Sequence, residues 1–432
     1  MGEAGSGKQE DRQNGHGKDE SRNHLKNSEP KRRGPKAQTR HNMQSVAAGT
    51  CEPRGGVMNY LKDKVSRIPL PVVPATLGLL VLSGTYDTLG FPLVHVLAVA
   101  VATLVAAAYC LKVAFHLKSV VAAEYANPML AALYPTLPML VMVLCAYYAS
   151  LFPAAETAAK TVFFSLMALL VAHVVVFFVR FFLRRFEWKT FMPSWYVTTN
   201  GVMVSTVAGM AFMPKPLAVG VVVWGIAIYV LVTPFMLWRM KRCEVAEATM
   251  HSQAIMLGPC SMCLVSYLNV WSEPHLVVVV PLFACIVVSL AYVIGKLPTF
   301  FSVAFHPGYA GMTFPMAVGL LATSGAASAF QTAGLPDVAW TVQQLAGIQL
   351  LLTTVIVCVV AARFLGLFVA GIKRDRAEGK LASDQMAALR ALRAYLSRGS
   401  KDVADAEAAT DFVPTAAGIA CDLDCEEPAL AS

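Results

Sequence analysis

The chain has 432 residues, 35 Lys/Arg against 27 Asp/Glu and a formal charge of +8, and 14% of it is charged, where a soluble domain averages about 25%. The deficit is central: residues 1–67 carry 14 basic and 8 acidic side chains, 371–432 carry 8 and 11, and the 303 residues between carry 13 and 8. So few charges cannot solvate a body of that size, and long runs of Leu, Val, Ala and Phe recur through it, which excludes a soluble globular fold.

Residues 1–67, with the cluster Lys31-Arg32-Arg33 and no apolar periodicity, read as a disordered basic tail on the cytoplasmic side. Runs of about 20 apolar residues, enough to cross a hydrocarbon core of about 30 Å, then predict helices near 68–86, 91–115, 127–149, 157–180, 191–212, 216–238, 250–271, 274–295, 305–330 and 339–362. The connections between them are short and carry Gly90, Pro92, Pro153, Pro214, Pro216, Pro274 and Pro336, so consecutive helices pair as antiparallel hairpins. The expectation is an all-α integral membrane fold of ten spans over 68–366. A cytoplasmic tail, 367–432, follows, in which Leu381, Met386, Leu389, Leu392 and Leu396 predict an amphipathic helix at 381–398.

Basic residues fall in alternate connections. Lys112, Lys118, Arg180, Arg184, Arg185, Lys189, Arg239, Lys241, Arg242, Lys296, Arg363, Lys373, Arg374 and Arg376 lie on one side, and Lys160 and Lys215 on the other. By the positive-inside rule both termini are cytoplasmic and the chain is a multi-pass protein of the plasma or inner membrane.

Prolines recur in the odd spans: Leu70-Pro71-Val72-Val73-Pro74, Tyr134-Pro135-Thr136-Leu137-Pro138, Gly258-Pro259-Cys260 and Thr313-Phe314-Pro315. Pro74, Pro138, Pro259 and Pro315 are spaced 64, 121 and 56 residues apart, so one hairpin is the repeating unit and the proline-poor third odd span occupies the double gap. Odd spans also hold the small and polar residues, and even spans are nearly pure Val, Leu, Phe and Ile. Five polar, kinked inner helices lining a central pore, with five outer helices facing lipid, satisfy this pattern in a pseudo-fivefold bundle. A proline kink frees an acceptor, which does not attract anions, so donors are expected from Thr136, Thr199, Asn200, Ser261 and Thr313. The basic cytoplasmic mouth is expected to concentrate anions.

Enzyme signatures are absent, and so are catalytic, metal and cofactor sites. Cys260-x-x-Cys263 has no partnering Cys/His pair, and the other cysteines of the spans sit in apolar runs. Asp87, Glu156, Glu273 and Asp337 fall in outward connections, so the spans lack the buried carboxylates of a proton relay. His95, His173, His251 and His306 remain as titrating groups. His306, opening the ninth span, is the candidate pH sensor.

The stretch Phe305-His306-Pro307-Gly308-Tyr309-Ala310-Gly311-Met312-Thr313-Phe314-Pro315, with Asn127-Pro128, Tyr134-Pro135-Thr136-Leu137-Pro138-Met139, Pro193-Ser194-Trp195 and Gly258-Pro259, resembles the tellurite-resistance/dicarboxylate transporter family. That family lies in the voltage-dependent anion channel superfamily and includes slow anion channels. The resemblance covers about 68–366. It implies five hairpins about a pseudo-fivefold axis, a central anion pore plugged by a phenylalanine at the position of Phe314, and a trimeric homo-oligomer. Gly311-Met312 departs from the bulky residues expected before the gate, and the fifth span lacks a mid-helix proline.

The function expected is transport of small anions, monovalent ions or a C4-dicarboxylate such as malate, through that gated pore. The partners are small inorganic or organic anions and membrane lipids, with no nucleic acid. A proton-linked malate or sulfite exporter of the same fold is the first alternative. A noncatalytic membrane scaffold or sensor is the second.

Overall fold

The computed structural model describes residues 56–377, 386–390 and 393, and among these there is no strand. The first helix, α1 (Gly56–Ser66), lies within the stretch expected to be disordered. It packs along α3 (Pro92–His116): Lys62 Nζ sits 5.3 Å from the Phe115 ring centroid and the Lys62 carbonyl is 2.9 Å from His116 Nε2. Of the amphipathic helix expected at 381–398, residues 386–390 and 393 are helical and the rest lies outside the described residues, as does most of both tails.

Each expected span is matched by helical structure. The first is α2 (Val72–Thr88), and the second is α3 continued by a π turn, Leu117–Val121, and α4 (Ala122–Ala126). The third is α5 (Pro128–Leu133) with α6 (Thr136–Leu151), and the fourth is α7 (Glu156–Phe177) with a π turn, Phe178–Leu183. The fifth is broken into α8 (Trp195–Asn200), a 3-10 turn Gly201–Met203 and α9 (Val204–Ala208), and the sixth is α10 (Lys215–Arg242). A 3-10 stretch, Glu247–Met256, leads into α11 (Leu257–Val270), α12 (Leu276–Phe301) follows, a 3-10 turn Pro307–Met312 leads into α13 (Thr313–Thr332), and α14 (Pro336–Ala377) is the tenth. Eight of these stretches are long and apolar enough to cross a membrane. The exceptions are α2, whose 17 residues span about 25 Å, and the interrupted fifth span.

The inner helices close a ring: α2 packs on α6, α6 on α9, α9 on α11, α11 on α13, and α13 back on α2. Each even span packs on its own odd partner, α3 on α2, α7 on α6, α10 on α8 and α9, α12 on α11, and α14 on α13. Burial separates the two rings. The third, seventh and ninth spans are 50%, 89% and 72% buried, whereas no even span exceeds 28%. Lipid solvates Val and Leu without penalty, so even helices need bury only one face, while the polar and small residues of the odd helices must find protein partners.

The four aligned prolines are not mid-helix kinks. Pro74, Pro138, Pro259 and Pro315 are each the third residue of an α-helix, α2, α6, α11 and α13. There the missing N–H costs nothing, because first-turn amides lack intrahelical acceptors, and no carbonyl four residues earlier need be displaced. The prolines therefore mark where each inner α-helix starts, after a turn or a 3-10 stretch. In α9 the third residue is Thr206, and the break is made instead by the 3-10 turn at Gly201. Interior prolines occur in the outer ring, Pro234 in α10 and Pro281 and Pro298 in α12.

Two hairpin turns share one device. Gly90 (φ 90°) and Gly334 (φ 78°) follow the ends of α2 and α13. Phe91 N–H donates to Tyr86 O at 2.9 Å and Leu335 N–H to Phe330 O at 3.0 Å, the six-to-one bond of a Schellman cap. A proline one residue further on, Pro92 or Pro336, opens the partner helix.

Candidate functional site

The starts of the inner helices converge on a cavity of about 50 Å³. All five odd spans contribute, among them Pro74 from α2, Thr136 from α6, Asn200 from α8, Pro259 from α11 and Phe314 with Pro315 from α13. Thr313, Pro315 and Met316 are buried, and the Phe314 side chain between them is partly exposed and lines the cavity. The α13 start packs closely on Gly78 of α2, where a Cβ would lie 2.6 Å from Phe314 N and from the Thr313 carbonyl carbon. Phe314 therefore sits on backbone that is close-packed against α2.

The expected donors do not present their hydrogens to this space. Thr136 Oγ1 donates to Leu133 O at 2.7 Å, Ser261 Oγ to Leu257 O at 2.6 Å, and Thr313 Oγ1 to Ala310 O at 2.8 Å. Thr199 Oγ1 reaches Trp195 O at 3.3 Å and Asn200 Oδ1 at 3.1 Å, and Asn200 Nδ2 donates to Gly225 O at 3.2 Å. A hydroxyl has one hydrogen, and at the breaks in the odd helices it serves a carbonyl three or four residues back. Thr199, Ser261, Thr313 and Pro138 are also absent from the lining. The cavity is thus apolar in its surface, and the first turns of α2, α6, α11 and α13, the positive ends of their helix dipoles, border it.

Two of the basic side chains expected at a pore mouth are committed elsewhere. Lys112 is fully buried and pairs with Glu124 at 2.7 Å while donating to Ile68 O at 2.7 Å. Glu124 also accepts from Tyr134 at 2.6 Å and Tyr109 at 3.3 Å. This network ties α3, α4, the approach to α2 and the turn before α6 together. The sequence reading passes over Glu124 because its partners come from separate elements. Arg239, 2% exposed, donates to the carbonyls of Trp188 and Lys189 at 3.2 and 3.0 Å and closes the loop between the fourth and fifth spans.

His306 lies away from the cavity lining, as the cap of the 3-10 turn Pro307–Met312, where its Nδ1 accepts from Gly308 N–H at 3.1 Å. Its ring is 4.7 Å from that of His251, which is fully buried, faces Tyr309 at 3.9 Å and bonds through Nε2 to Phe300 O at 3.0 Å. Facing a carbonyl oxygen, His251 Nε2 is a donor, and His306 Nδ1, facing a backbone N–H, is an acceptor. The two remaining nitrogens, His251 Nδ1 and His306 Nε2, are buried without partners. Cys260 and Cys263 are buried core side chains, and no cluster of three metal-binding side chains occurs among the described residues.

No curated protein matches the chain. The family model described as voltage-dependent anion channel matches residues 68–365, the whole ring of ten spans, and the chain belongs to that family of membrane anion transporters.

Proposed function

We propose that this protein is a passive pathway for small monovalent anions, with the cavity at the convergence of the inner helices as its narrow region and Phe314 as the plug. The observation carrying this reading is Phe314 itself, partly exposed on an otherwise buried helix start and lining a cavity to which every inner span contributes. An apolar constriction closed by a phenyl ring excludes water and blocks ions by dewetting. A space of about 50 Å³ holds a few water-sized particles, which favours a small monovalent anion over a four-carbon dicarboxylate. Without free donors the attraction is a weak field from helix dipoles, which suits passage better than tight binding.

Purified protein in liposomes should dissipate an imposed chloride or nitrate gradient with no proton gradient present, and a scaffold should leave the gradient intact. The pair His251 and His306 favours one competing reading, a proton-linked exporter, because it holds two buried ring nitrogens without partners in neighbouring rings. Flux that requires a proton gradient at fixed voltage, and loses that requirement in His306→Gln, would establish the exporter in place of the passive pathway.

A further inference from the structure

A second concavity lies on the outer ring. A groove of about 490 Å³ at the end of α7 is bordered by Val175, Val176, Val179, Arg180, Arg184 and Arg185. The fourth span is 22% buried, and Val175 and Val176 are exposed on it, so this part of the groove opens to acyl chains. The π turn Phe178–Leu183 ends the helix here and brings three guanidinium groups to the border of one groove. Arg180 is seated 5.5 Å from the Tyr125 ring and 5.4 Å from the Phe181 ring. The side chains of Arg184 and Arg185 are exposed and have no hydrogen-bond or ion-pair partner among the described residues, and no carboxylate borders the groove. Arg239 of α10 shows the contrast, since two of its guanidinium nitrogens donate to backbone carbonyls.

We propose that this groove is a binding site for an anionic glycerophospholipid, its phosphate diester held by Arg180, Arg184 and Arg185 and one acyl chain laid along Val175, Val176 and Val179. Guanidinium groups suit phosphate oxygens because their N–H donors form a planar fork. Three cations with no carboxylate in the groove lining select a headgroup of net negative charge over a zwitterionic one. The valines select an amphiphile over a free anion, for which they offer nothing.

The test uses the full chain in detergent, titrated with phosphatidylglycerol and phosphatidylcholine of distinct mass and read by native mass spectrometry. The wild type is expected to retain phosphatidylglycerol in preference to phosphatidylcholine, and excess inorganic phosphate is expected to leave that adduct in place. At about fivefold per cation near the membrane surface, the double variant Arg184→Gln/Arg185→Gln should bind phosphatidylglycerol about 25-fold more weakly. Both side chains are exposed, so the variant should elute from gel filtration as the wild type does. The control Lys241→Gln/Arg242→Gln, at the end of α10, should keep the wild-type affinity. Equal retention of the two lipids by the wild type, displacement by inorganic phosphate, an unchanged affinity in the arginine variant, or an equal loss in the control would each overturn the site.

Discussion

Gly78→Ala tests how the start of α13 packs on α2. The added Cβ would lie 2.6 Å from Phe314 N, 2.6 Å from the Thr313 carbonyl carbon and 2.7 Å from Thr313 Cβ. Carbon contacts settle near 3.5–4.0 Å, so about 1 Å of separation must be made between α2 and α13, and two of the three atoms are backbone that cannot rotate away. Overpacking of this kind costs about 1–3 kcal/mol, and the rigid neighbours place it near 3. Against that, alanine gains about 1 kcal/mol over glycine inside a helix, leaving a net loss of about 2 kcal/mol. Gly84, also in α2, has nothing within 4 Å of its added Cβ, so Gly84→Ala should be neutral or gain up to about 1 kcal/mol. The assay is the unfolding midpoint of both variants in one detergent, followed by their anion flux in liposomes. The two should differ by about 2–3 kcal/mol, and Gly78→Ala should also change flux because the strain falls on the residue carrying the Phe314 ring. Equal stability of the two variants would refute the close approach of α2 to α13.

Lys112→Met should cost about 3–5 kcal/mol by stranding the Glu124 carboxylate, and Lys112→Met/Glu124→Gln should recover part of it, read as folded yield and unfolding midpoint. Gly90→Ala and Gly334→Ala should each lose about 1–2 kcal/mol, because a Cβ strains a left-handed backbone, while Gly220→Ala in α10, with open space around it, should not; equal midpoints for all three would remove the Schellman caps from the account. For orientation, a variant retaining only Cys421 should react with a membrane-impermeant maleimide after permeabilisation and not in intact cells, and labelling of intact cells would reverse the topology.

The ten spans were legible because hydrocarbon is an unforgiving solvent and the apolar runs carry length information directly. The ring was legible from Pro74, Pro138, Pro259 and Pro315, although the repeat does not say what a proline does. Whether it kinks a helix or starts one depends on whether the preceding residues are α-helical, and here a turn or 3-10 stretch precedes each one. Hydroxyls such as Ser261 and Thr313 were expected to face a pore because they are polar, yet the nearest acceptor for a serine or threonine in a helix is its own backbone three or four residues back. Glu124 sits in what reads as a cytoplasmic connection, and its burial follows only from the π turn that carries α3 into α4. The pairing of His251 with His306 spans two 3-10 segments, a separation that no local pattern records.

The central claim is that the Phe314 ring closes an anion pathway, and Phe314→Ala in planar bilayers or liposomes tests it most directly. Phe235 of α10, 55% exposed on the outer ring, is the control for general loosening. The account predicts higher anion conductance in Phe314→Ala than in both the wild type and Phe235→Ala, with folded yield near wild type because the side chain removed borders a cavity. A well-folded Phe314→Ala protein whose conductance equals or falls below that of the wild type would contradict it.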